Sequence, residues 1–329
     1  MEPKSILVVR RDNIGDMVCT TPLLSALRTQ YPMAWIGVLA NTYNAPILER
    51  NPDVDQVCTY RKLKHADSGV AFSALAHKAI LLWRLRRRKL DLVVLATGAE
   101  DSRGARLARF LAPRQTSVSD RIQAGMHEVE RTFSAARSLG IEGPIPPLRV
   151  TADEAALRRV RRSVAQSDLA SKRPLIGLHI SARRPAQRWP AERFAELSVA
   201  LYDNLGAATI LFWSPGTESH PQHPGDDEKA STIIERTANR RLLIPWPTAQ
   251  LQELVAGIAA CDAVVCSDGG AMHIAAGLGK PIVSFFGDSP VDRWRPYGTR
   301  HIVLQAASRR VADISLEEAL ASTTSLLMH

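Results

Sequence analysis

The sequence predicts an α/β chain of two doubly wound domains, each a parallel sheet covered by helices. Short apolar runs alternate with helix-length segments almost from the first residue, as they do when buried strands are joined by crossover helices. The 329 residues exceed what one hydrophobic core usually organises, at roughly 150 residues per domain. Near the middle, Pro144, Pro146 and Pro147 crowd one stretch where neither a helix nor a central strand can continue.

In the first half, strands are expected at Ile6 to Arg10, Trp35 to Ala40, Val54 to Tyr60, Leu90 to Thr97 and Gln115 to Val118. Helices between them span Val18 to Thr29, Phe72 to Lys89, Arg103 to Leu111 and Glu128 to Leu139. This makes residues 1–150 one domain, with a linker over 151–173. A second series over 174–312 places strands at Leu175 to Ile180, Ala208 to Trp213, Leu242 to Ile244, Ala263 to Cys266 and Pro281 to Phe285. Its helices are Ala191 to Leu205, Asp226 to Ala238, Ala249 to Ala260 and Ala271 to Leu278. The amphipathic segment Leu316 to Leu327, within 313–329, is expected beyond the second sheet, packing back across the domains. Two such sheets in tandem predict a central cleft between their carboxyl ends, where ligands of these folds bind.

Composition narrows the class. Apolar residues make up 45% and charged residues 23%, which argues against disorder. The short run Ile6 to Val9 is broken by Arg10, Arg11 and Asp12, so no signal-peptide core is read. No apolar stretch approaches the ~20 residues of a spanning helix. The four cysteines show neither disulfide nor zinc spacing, and a cytoplasmic location is expected. A net charge of +9 favours anionic partners: nucleic acid, lipid headgroups or phosphorylated substrates.

Two motifs carry candidate chemistry. The first strand runs into Arg10-Arg11-Asp12-Asn13-Ile14-Gly15-Asp16 and a helix with Pro22 near its expected start, where a missing N–H does little harm. Gly15 is read as allowing a tight turn and close ligand approach. Asp16, at a strand's carboxyl end beside a helix N-terminus, is competent as a base toward a substrate hydroxyl; the motif by itself reads first as a helix-capping acid. In the second half, Ser267-Asp268-Gly269-Gly270-Ala271-Met272-His273 opens a helix. Its glycines leave backbone N–H groups free for a diphosphate, or simply form a turn. His273 either reaches that phosphate or fills the core. The pattern is neither a phosphate-binding loop ending in Gly-Lys-Ser/Thr nor a dinucleotide fingerprint.

These residues carry a resemblance. Asn13-Ile14-Gly15-Asp16-Met17-Val18 through Thr21-Pro22-Leu23-Leu24 resembles the opening of bacterial lipopolysaccharide heptosyltransferases, glycosyltransferase family 9. So do Ser267 to Ala276, Gly279-Lys280-Pro281, Phe286-Gly287, Arg295-Pro296-Tyr297-Gly298 and Arg188-Trp189-Pro190 through Leu197. The resemblance implies a GT-B type fold of two Rossmann-like domains, with acceptor bound by the first and nucleotide sugar by the second. It implies inversion at the anomeric carbon, no cofactor and no metal, with ADP-heptose as donor and a lipid-linked or phosphorylated glycan as acceptor. By matched position Asp16 is the general base. Arg11, Asn13 and Gly15 form the acceptor-side loop, and Ser181, Asp268, Gly269, Gly270, Ala271 and His273 line the donor site.

One departure stands out: Gln187 replaces the lysine the family often carries two residues before Trp-Pro. Arg183, Arg184 and Arg188 lie in that loop and offer diphosphate forks instead. Two further features stay open. Trp83 to Lys89, with Arg84, Arg86, Arg87, Arg88 and Lys89, reads either as a solvated helix end or as contact with anionic headgroups at the inner face of the inner membrane. The loop Ser214 to Asp227, with His220 and His223, reads as a flap beside the nucleotide rather than a metal site. A monomer that binds no nucleic acid is expected. The alternatives are a nucleotide-sugar epimerase of the same fold and a basic nucleic-acid-binding protein.

Overall fold

The computed structural model describes residues 2–60, 68–219 and 225–328. The chain divides into two compact units, Met1–Thr151 and Ala152–His329, so the boundary falls at the end of the proline-dense stretch.

The first unit contains β1 (Ser5–Val9), β2 (Trp35–Asn41), β3 (Gln56–Tyr60), β4 (Leu92–Leu95) and β5 (Gln115–Val118), with helices α1 (Ile14–Gln30), α2 (Ser68–Arg87), α3 (Ser102–Leu111) and α4 (Glu128–Arg137). The strands lie in the order β3-β2-β1-β4-β5, all parallel. Ile6 to Val9 are wholly buried, because a central strand of a parallel sheet is covered on both faces.

Helix α1 starts at Ile14, four residues ahead of the expected Val18, because Asn13 and Asp16 close a capping box that satisfies two first-turn donors. Pro22 therefore lies inside the helix, where its absent N–H leaves the Val18 carbonyl short of a donor. The Thr21 hydroxyl supplies that bond at 2.7 Å. Gly15 is likewise a helical residue of the first turn, not a turn glycine.

The second unit begins with α5 (Glu154–Ala165), followed by β6 (Leu175–His179), α6 (Ala191–Leu205), β7 (Ala208–Trp213), α7 (Asp227–Thr237), β8 (Leu243–Pro247) and α8 (Leu251–Ala260). It continues with β9 (Ala263–Ser267), α9 (Gly270–Gly277), β10 (Ile282–Phe286), α10 (Val291–Trp294), β11 (His301–Gln305) and α11 (Leu316–Met328). Its six strands run parallel in the order β11-β10-β9-β6-β7-β8.

Three elements differ from the sequence reading. Residues 154–165, taken there as linker, form α5, which packs on α8. Asp153 caps it through Ala156 N at 2.7 Å, and Ala156, Leu157, Val160 and Val164 form its buried stripe. The stripe is narrow and set among arginines, so the segment reads as a charged run. Strand β11 is half-buried throughout and its apolar run is only the three residues Ile302 to Leu304, and α10 is a single turn. Helix α11 packs on α6, β10 and β11 of its own unit, with Ala319 and Leu326 in that unit's core. All four cysteines are buried free thiols.

Candidate active site

Each sheet has a switch point at which the strand order changes direction: between β1 and β4 in the first unit, and between β6 and β9 in the second. Open α/β sheets bind ligands in the crevice beyond the carboxyl ends of such a pair. The motif residues of each half follow these strands.

In the first unit, Arg10 continues β1 and is only 1% exposed. A buried guanidinium is unfavourable unless paired and hydrogen-bonded. Arg10 Nη2 donates to Asp16 Oδ1 and, at 2.7 Å, to Glu128 Oε1; Nη1 donates to the Ala96 carbonyl; Nε lies 3.3 Å from Asp12 Oδ2. Glu128, fully buried, also accepts from Arg131 Nε at 3.0 Å and from Nη2. Burial by itself raises the Glu128 carboxyl, but the Arg131 hydrogen bond and the charges of Arg10 and Arg131 outweigh it and bring it down to about 2. Burial disfavours the Arg10 cation, and the charges of Asp16, Glu128 and Asp12 more than restore it.

Asp16 thus holds one oxygen against Arg10 while the other accepts from Asn13 N at 3.0 Å and Asn13 Nδ2 at 3.1 Å. It is a helix-capping acid and, at the same time, a carboxylate fixed at the switch point. Arg11 Nη2 donates to Asp101 Oδ2 at 2.7 Å, as does Thr97 Oγ1 at 2.8 Å, which ties the loop after β1 to the loop after β4. Burial would raise Asp101, yet bonds from Gly104, Thr97 and Arg11 hold it below the usual carboxylate range. Asn41 Nδ2 secures the same loop through the carbonyls of Arg11 and Asp12.

In the second unit the loop after β6 is anchored by Trp189, 1% exposed, which packs on Phe194 and Phe285 and donates Nε1 to the Ile314 carbonyl at 2.9 Å. Gln187 is buried. Its Nε2 donates to Asp268 Oδ2 at 2.9 Å and Ser289 Oγ at 3.0 Å, while Ser267 Oγ donates to its carbonyl at 2.7 Å. One neutral amide therefore joins the loops after β6, β9 and β10. Ser181 Oγ accepts from Ser214 N at 2.9 Å, a contact that fixes the loop after β7.

The three arginines stand differently. Arg188 donates Nε to the Ala182 carbonyl at 3.0 Å and pairs with Glu218. Arg184 lies 3.5 Å from Asp288, both more than half exposed, a pairing of little worth in water. Arg183 is exposed and makes no ion pair among the described residues.

Helix α9 opens at Gly269, whose φ of 156° suits glycine, and nothing lies within 4 Å of a Cβ placed there. Among the described residues no side chain caps the helix, and the first-turn N–H groups of Gly270, Ala271 and Met272 lack intrahelical acceptors. That is an anion site in geometry and dipole. Ala271 and His273 are buried, and the His273 ring stands edge-on to Trp294 at 5.9 Å.

Sequence reasoning named Arg10 only as part of its motif and passed over Glu128 and Arg131, although a charged residue continuing a wholly apolar central strand was itself a signal that partners must be buried with it. It also missed Lys229, whose Nζ donates to the Ile180 carbonyl at 3.0 Å. Burial, aided by the charge of Arg188, lowers this amine to about 8. Beside it, burial and then the Lys229 charge push His179 down to about 4, so it is neutral near pH 7. His220 and His223 lie outside the described residues. Among the described residues, no three His, Cys, Asp or Glu side chains come together as a metal ligand set, and no helix is long and apolar enough to cross a membrane.

The profile of glycosyltransferase family 9 (heptosyltransferase) matches residues 89–321. The chain is 29% identical over 325 residues to lipopolysaccharide heptosyltransferase 2 of Escherichia coli strain K12, covering 91% of this chain and 87% of that one. Among solved structures it resembles a family 9 glycosyl transferase from Veillonella parvula, with a TM-score of 0.82 at 23% identity over 99% of this chain and 97% of the other. It also resembles the ADP-heptose lps heptosyltransferase II of E. coli, with a TM-score of 0.77 at 24% identity over 98% of each chain.

Proposed function

The chain belongs to glycosyltransferase family 9 and is a glycosyltransferase of the GT-B fold; from that premise we propose that it moves a heptose from an ADP-sugar to a lipopolysaccharide core or related lipid-linked glycan, inverting the anomeric centre. The observation that carries this reading is the pair of sheet switch points: one holds an oriented carboxylate, Asp16, the other an uncapped glycine-opened helix, α9. Asp16 removes the proton from the acceptor hydroxyl as that oxygen attacks the anomeric carbon. The C–O bond to the ADP leaving group breaks from the opposite side.

The departing diphosphate is met by the N–H groups of Gly270 and Ala271 and by Arg183, with Arg184 and Arg188 released from their surface acids. In this reading fixed positive groups do the work that a metal does in other transferases. The Arg10 and Asn13 contacts keep the Asp16 oxygens from rotating, so the base is oriented before substrate arrives. A cytoplasmic setting follows from the nucleotide-sugar donor.

The test is direct transfer. Purified chain with ADP-heptose and a lipid-linked inner-core acceptor should release ADP and yield a heptosylated product by mass spectrometry, its anomeric configuration by NMR opposite to the donor's. Retained configuration contradicts the mechanism. Conversion of the nucleotide sugar without any acceptor would make the chain an epimerase.

A further inference from the structure

Helices α2 and α3 of the first unit share an exposed face on which large apolar residues and arginines alternate. On α2, Leu75 is 53%, Ile80 49% and Trp83 53% exposed. These three, with exposed Ala76, Ala79, Arg86 and Arg87, form one stripe at helical spacing. On α3, Phe110 is 44% exposed and stands with exposed Arg103, Arg106 and Arg109. Arg86 joins the helices: its guanidinium lies 5.3 Å over the Phe110 ring and donates to the Phe110 carbonyl. Arg87 lies 4.6 Å over the Trp83 ring. Neither helix contains an Asp or Glu.

We propose that this α2–α3 face docks the enzyme on an anionic lipid bilayer. Two observations select that partner. Charge complementarity is one-sided, since six arginines, counting Arg84, have no acid among them on either helix. The apolar groups stand among cations rather than behind them, so rings and aliphatic chains enter the headgroup layer while guanidinium groups stay at phosphate depth. The cluster differs from the run Arg84 to Lys89 alone. Arg88 is turned away, stacked 3.6 Å over Trp35 of β2, and Lys89 lies beyond the helix end with a φ of 52°, whereas α3 supplies three arginines from another part of the chain. The inference goes beyond the transfer reaction and does not depend on which sugar is moved.

Sedimentation with vesicles of phosphatidylglycerol and phosphatidylcholine, free of any glycan acceptor, tests it on the full chain. Each arginine near such a surface strengthens binding about fivefold, so changing Arg103, Arg106 and Arg109 together to Gln should lower partition roughly a hundredfold at low salt. Trp83→Ser with Phe110→Ser should lower it about tenfold at both low and high salt, because apolar insertion is not screened. All these residues are exposed, and unchanged circular dichroism checks the fold. Equal partition of wild type and the Gln variant, equal binding to pure phosphatidylcholine, or tighter binding of single-stranded nucleic acid than of vesicles at the same salt would each overturn the proposal. Failure of glycosyl transfer with vesicle binding intact would leave it standing.

Discussion

At its switch point the first unit buries alternating charges, Asp16, Arg10, Glu128 and Arg131, whereas the second joins its loops through the neutral amide of Gln187 and leaves the start of α9 uncapped. On the proposed function, the difference follows from what each place would hold. A base has to be oriented before its substrate arrives, and a buried ionic network with nearly every atom engaged does this, at a cost in desolvation. A site proposed for a diphosphate would instead stay open, with backbone N–H donors and surface arginines as its positive groups. Rigid charge marks one half, and vacant donors mark the other.

The largest expected effect breaks that contrast on the first side. Asp16→Asn should lower turnover about 10² to 10⁴-fold while ADP affinity, measured by calorimetry, stays within a factor of two. Should Asp16 serve only as the helix cap, the variant will melt earlier yet turn over normally per folded molecule.

Glu128→Gln tests the network one step further in. Removing one partner of a buried ion pair costs about 3–5 kcal/mol, read as a fall in the denaturation midpoint at constant slope. A loss below about 1 kcal/mol means that Asp16, Asp12 and the Ala96 carbonyl hold Arg10 without the Glu128 charge.

Acid should separate the two units. The Glu128 carboxyl ionises at about 2 in the fold against an ordinary 4.5, so its contribution is whole above pH 4.5 and is lost as pH falls toward 2. His179 is held neutral down to about 4 against an ordinary 6.5. Its unfolded form takes up the proton first, and stability is lost from pH 6.5 toward 4. Each window carries about 1.4 kcal/mol per pH unit. Limited proteolysis with an acid-tolerant protease should therefore release second-unit fragments at milder acidity, and the opposite order contradicts the assignment.

The smallest effect sharpens the donor side: Arg183→Ala should weaken ADP about tenfold, near 1.5 kcal/mol for a charged hydrogen bond, and leave adenosine unaffected. Equal losses for both ligands mean that Arg183 shapes the loop without touching phosphate.

The parallel sheets were legible in the sequence because buried strands such as Ile6 to Val9 and Ile210 to Trp213 are continuous apolar runs. The GT-B architecture was legible through its motifs, and the family with it. Helix α5 was not, since four buried apolar residues among arginines read as a charged run, and β11 was not, since a half-buried edge strand needs no more than its short run Ile302 to Leu304. Pro22 misled about the start of α1 because nothing local announces that Thr21 will replace the missing donor. The motif residues Asp16, Asp268 and Gly269 were visible by spacing. Glu128, 118 residues along the chain from its partner Arg10, was not, because pairing across that distance is a property of the fold.

Backbone hydrogen exchange with and without ADP addresses the division of labour most directly. The account predicts that ADP slows exchange at the amides of Gly270, Ala271 and Met272 and in the loop 182–188, with no change in segments 10–16 and 128–131. Protection of the Arg10 to Asp16 segment by ADP, with α9 unchanged, would place the diphosphate on the first unit and contradict it.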